Sequence, residues 1–72
     1  MRRARREDLK RADQLAPGDQ WMEGTRRTQM TMIERRPSPL SNVVRLKVRR
    51  ADGVEQVIDL FATDKRVVLR PS

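Results

Sequence analysis

VVRLKVRRADGVEQVIDL, residues 43–60, is the stretch that decides the fold. Val44, Leu46 and Val48 alternate with Arg45, Lys47 and Arg49, so a strand here has one apolar face and one basic face. Ala51-Asp52-Gly53 follows. A glycine at the third loop position suits a type I turn closed by a left-handed residue and a bulge. The chain returns with Val54, Gln56, Ile58 and Leu60 on one face and Glu55, Val57 and Asp59 on the other. The result is a β-hairpin whose outer side sets an acidic strand beside a basic one, an arrangement that favours cross-strand charge pairing.

Shorter strands are expected around this hairpin. Upstream, Arg35 to Asn42 (RRPSPLSN) reads as the main loop, because its two prolines block ladder pairing and Ser and Asn favour turns. Thr25 to Glu34 (TRRTQMTMIE) reads as a strand with Met30 and Met32 inward, since alternating thioethers fill core gaps. Asp19 to Glu23 reads as a short strand with Trp21 or its neighbour Met22 inward, ended by Gly24. Ala16-Pro17-Gly18-Asp19 has the type II pattern, with proline at the second position and glycine at the third. Leu15 before it is a candidate core anchor. Downstream, Phe61 continues the hairpin's apolar run, Ala62 to Lys65 turns, and Val67-Val68-Leu69 forms a last short strand. About five strands with turns roughly every ten residues point to a small all-β barrel or sandwich. Closure into a barrel hides strand edges in a short chain.

The first eleven residues (MRRARREDLKR) form a basic arm, and residues 12–72 the β-domain. Leu9, Ala12 and Leu15 or Ala16 recur at helical spacing, which allows a short helical turn from about Asp8. The alternative is an arm that orders on a polyanion.

Seventy-two residues make one domain, near the lower limit for burying a core without help. There is no cysteine and no histidine, which removes thiolate chemistry and the commonest general base and zinc ligand. Ser38, Ser41 and Ser72 therefore have no imidazole to activate them. Asp52, Glu55, Asp59 and Asp64 lack the dense alternating spacing of calcium loops. No phosphate-cradling glycine motif is present. No cofactor, metal or catalytic role is expected. No apolar run is long enough to span a bilayer, and no apolar segment follows the basic start as in a secretory signal. A cytoplasmic protein is expected.

The net charge is +7, with fourteen arginines to three lysines. Guanidinium groups bind phosphate through two parallel donors, although a GC-rich genome also produces arginine excess. Three basic clusters are the candidate site: Arg2, Arg3, Arg5 and Arg6 in the arm; the pairs Arg26-Arg27 and Arg35-Arg36; and the outward row Arg45, Lys47 and Arg49. Converging on one side, they would track a phosphate backbone. Trp21 would stack on a base in a single-strand binding fold, but Phe61 is its only aromatic companion, and burial as a core plug is the stronger reading.

Leu15, Pro17, Gly18 and Asp19, then Gly24, Pro37, Gly53, Phe61 and Asp64, follow an order that resembles small SH3-like barrels of the KOW type. The layout is similar to the N-terminal barrel of the translation elongation factor P family and to short barrels of actinobacteria and their phages. The resemblance covers about residues 13–70. It implies a five-stranded SH3-like barrel and contacts with RNA, the ribosome or a polymerase. The 35–42 loop has no lysine between glycines, so no modified-lysine function is implied. Two functions follow as expectations. One is a non-catalytic module that contacts DNA, RNA or a nucleoprotein complex with low sequence specificity. The other is a protein-interaction module that docks a partner, or a second copy as a homodimer, through loop 35–42 and an exposed strand edge.

Overall fold

The structure, a computed structural model, describes residues 9–69. The domain is all-β. Six antiparallel strands run in chain order: β1 (Leu9–Arg11), β2 (Gln20–Glu23), β3 (Thr28–Arg36), β4 (Val43–Arg50), β5 (Glu55–Phe61) and β6 (Lys65–Val67). They form a four-stranded sheet, β2-β3-β4-β5, and a two-stranded ribbon, β1-β6.

The hairpin forms as its alternation dictates. Arg45 lies opposite Asp59, Leu46 opposite Ile58 and Arg49 opposite Glu55. Val44, Leu46 and Val48 are buried on one face. Gly53 has φ +88° and donates its N–H to the Arg50 carbonyl (2.9 Å), while Arg50 N–H reaches the Val54 carbonyl (2.8 Å). This is the three-residue loop with a left-handed glycine. At the other strong turn, Gly18 has φ +92° and Asp19 N–H donates to the Ala16 carbonyl (3.0 Å), which with Pro17 makes the type II geometry. The Asp19 carboxylate fastens that turn, accepting from Ala16 N–H and from Lys10 Nζ, both at 2.9 Å.

Trp21, Met30, Met32, Val44, Leu46, Val48 and Leu60 line the inner face of the large sheet. Ala12 and Leu15 complete the buried cluster, with Ile58, Ala62 and Val68 packed against it. Of the two neighbours in β2, Trp21 is fully buried and Met22 faces out.

Several sequence expectations are corrected. The expected five-stranded barrel is two sheets of six strands, and the described ladders do not close. A single bond from Leu69 N–H to the Gln20 carbonyl (2.7 Å) links the chain after β6 to β2. Leu9–Arg11 pairs with β6 instead of turning helically, and among the described residues helical character is confined to a 3-10 turn at Ala12–Gln14. The pairing wins because Ala12 and Asp13 donate their N–H groups to the carbonyls of Asp64 and Ala62. The last strand lies at Lys65–Val67, two residues earlier than Val67–Leu69. Arg35 and Arg36 belong to β3, which runs up to Pro37, so the loop covers only residues 37–42. Thr25 to Arg27 lie in the β2–β3 turn, where Arg27 N–H donates to the Gly24 carbonyl (3.1 Å).

Ile33 is an extra residue in β3. The β3–β4 register passes from Met32 opposite Val48 to Glu34 opposite Lys47, a β-bulge. Strict alternation would put Glu34 on the core face after Met32. The bulge instead moves Glu34 and Arg36 to the outer face, and Arg35 to the face of Leu46.

Candidate polyanion interface

Arg26 and Arg27 sit exposed in the four-residue turn between β2 and β3. Arg27 has φ +52°, the single non-glycine residue with positive φ among the described residues. The left-handed bend is set by closure of the turn onto Gly24. Neither side chain has a carboxylate partner among the described residues.

Arg35 and Arg36 end the same strand, roughly 26 Å away at about 3.3 Å per residue. They line an open cleft of about 490 Å3 together with Ser38, Leu40 and Ser41 of the loop. Ser38 stiffens the loop by accepting the Leu40 N–H (3.2 Å). Arg36 is bridged to Glu34 (3.0 Å). Arg35 has no carboxylate partner among the described residues, and its Nη1 donates to the Asp13 carbonyl (3.3 Å).

The outward row lies on β4, and Arg45 at its start is the cross-strand partner of Arg36. Arg45 grips Asp59 with two bonds (2.8 and 3.1 Å). Glu55 takes Arg49 (2.7 Å) and Lys47 (3.5 Å). Hydrogen bonds from Arg45 hold the Asp59 carboxyl below its ordinary value, and those from Arg49 do the same for Glu55. Asp52, in the hairpin turn, accepts from Arg50 Nη2 (2.6 Å) and Val54 N–H (3.0 Å). The row is thus a charge-paired face, with its cations largely neutralised in place.

Arg36 lies directly opposite Arg45 on the outer face, so the 35–36 pair adjoins the row, while Arg26 and Arg27 stand apart at the other end of β3. Arg2, Arg3, Arg5 and Arg6 lie outside the described residues. Among the described residues no group of three or more metal-ligating side chains comes together.

Sequence reasoning missed one network. Trp21 Nε1 donates to Glu23 Oε1 (2.7 Å), and Arg66 binds both Glu23 oxygens (2.8 and 3.0 Å). Burial pushes the Glu23 carboxyl up, but the bonds from Arg66 and Trp21 and the Arg66 charge together hold it below its ordinary value. The network ties β6 to β2 and fixes the indole. It leaves Trp21 closed to stacking on a base, with 0% exposure. Glu23 and Arg66 are 43 positions apart, and no local spacing signals the pair.

No protein-family model, curated protein or solved structure matches this chain.

Proposed function

We propose that the protein is a non-catalytic module that contacts nucleic acid, or a nucleoprotein complex, through arginine–phosphate bonds with low sequence specificity. The observation that carries this reading is the pattern of charge pairing. Arg45, Lys47, Arg49, Arg50 and Arg66 are engaged by carboxylates of the fold. Arg26, Arg27 and Arg35 stand exposed with no carboxylate partner among the described residues. A guanidinium not consumed by an internal pair keeps its donor fork for a phosphate. Arg2, Arg3, Arg5 and Arg6 add four basic groups in sequence to the same tendency. No α-helix among the described residues is available to enter a major groove, so phosphate contacts would position the module without reading bases.

The finer fold relationship is part of the same proposal. The first strand pairing with the last, beside a bent meander of strands, supports kinship with SH3-like barrels.

Fluorescence anisotropy with short labelled single- and double-stranded DNA and RNA, across a salt series, tests the function. Binding is expected with a log–log salt slope of several units, one phosphate neutralised for each unit or so. No binding at low salt would end this reading.

A further inference from the structure

We infer that the free edge of β5 is a docking site for an extended cationic segment of another protein, which joins the sheet as a further strand. This surface is distinct from the arginine sites and the inference does not depend on them.

Among the described residues β5 has a strand on one side only. Its ladder with β4 is phased at both ends by backbone bonds: Arg50 N–H to the Val54 carbonyl, and Ala62 N–H to the Asn42 carbonyl, each 2.8 Å. Antiparallel ladders alternate bonded and non-bonded pairs. Gln56, Ile58 and Leu60 therefore bond to β4, while Glu55, Val57 and Asp59 direct N–H and C=O away from it. That is an unpaired template seven residues long. Val57 is 53% exposed and Phe61 59%.

Charge selects the occupant. The outward charges of β4 are all basic, and those of β5 are all acidic, Glu55 and Asp59, with Val57 between them. Each carboxylate accepts more bonds than its β4 partner supplies. A strand with Lys or Arg opposite Glu55 and Asp59, and an apolar residue opposite Val57, extends the alternation of sign and covers the valine. A second copy fits badly. Pairing Val57 with its own mate sets Glu55 against Asp59, and pairing Val57 with Phe61 sets Asp59 against Asp59. Centring on Ile58 gives the carboxylates no cationic partner.

The test uses the full chain and a capped peptide, Thr-Lys-Thr-Val-Thr-Lys-Thr, followed by amide hydrogen exchange in NMR spectra. Protection is expected to rise at Glu55, Val57 and Asp59, with Gln56 and Ile58 already protected in the free protein. Val57→Pro removes a donor that β4 does not use and should weaken binding about tenfold, the loss of one net hydrogen bond. N-methylation of the peptide's valine should do the same with the protein unchanged. The peptide with Glu for Lys should not bind. Binding should weaken with salt through the two Lys–carboxylate pairs, less steeply than a polyanion contact. The proposal is overturned by absence of binding, by binding without protection of the alternate amides, or by insensitivity to N-methylation. It is equally overturned if raising the protein concentration alone protects those amides, since a second copy would then hold the edge.

Discussion

Trp21 shows what a single residue does as the one buried aromatic side chain of the core, Phe61 being exposed. Its burial on the inner face of β2 is legible in the sequence, because a large ring with only Phe61 for company is worth more as a plug than as a platform. Its partners are not legible, since Glu23 and Arg66 meet across the two sheets. Trp21→Ala should cost about 3–5 kcal/mol in denaturant unfolding, the usual penalty for emptying a buried aromatic site. Glu23 gives a pH prediction. Its folded value lies below the ordinary 4.5, so its stabilisation is fully present above that value and is lost as pH falls through the lowered folded value. Thermal midpoints measured at falling pH should drop in this acid window, and Glu23→Gln should flatten the drop. Equal acid sensitivity in the variant would assign the effect to other carboxylates, such as Glu55 and Asp59.

At the scale of elements, the β4–β5 hairpin was readable in its strands, faces and turn, because alternation and a glycine at the third loop position agree with each other. Gly53 stands at φ +88°, and an added Cβ would meet no atom within 4 Å. Gly53→Ala should therefore destabilise by about 1–2 kcal/mol through backbone conformation alone, and Gly53→Asn by less. Equilibrium melts of both variants check this, and an equal loss for Asn would point to something other than left-handed backbone. The Ile33 bulge was not readable, since nothing in TMIERR marks where alternation slips by one. That slip decides which of Arg35 and Arg36 faces outward. The three-residue strands β1 and β6 also escaped periodicity, because three residues are too few to show a period of two.

Over the whole molecule, an all-β antiparallel architecture followed from strand spacing and composition. The open arrangement did not, because closure depends on pairing between strands far apart in sequence. The same limit applies to the candidate site. Basic residues could be counted in the sequence, but which of them the fold neutralises is a matter of register. Residues 1–11 were separable as a basic segment, yet Leu9–Arg11 pair with β6. A deletion intended to remove only charge should stop at Asp8. Such a deletion should weaken polyanion binding, and the thermal midpoint measured beside it shows whether β1 survives.

The most direct measurement compares the salt slope of oligonucleotide binding for three proteins: the wild type, the triple variant Arg26→Gln, Arg27→Gln and Arg35→Gln, and a variant that removes two internal ion pairs without changing net charge. The last carries Arg45→Gln with Asp59→Asn and Arg50→Gln with Asp52→Asn. The account predicts that the triple variant loses up to about three units of slope, roughly one per phosphate contact, and that the pair-removed variant keeps the wild-type slope. An unchanged slope in the triple variant, or a collapsed one in the pair-removed variant, would contradict it and move the contact to the paired face of β4.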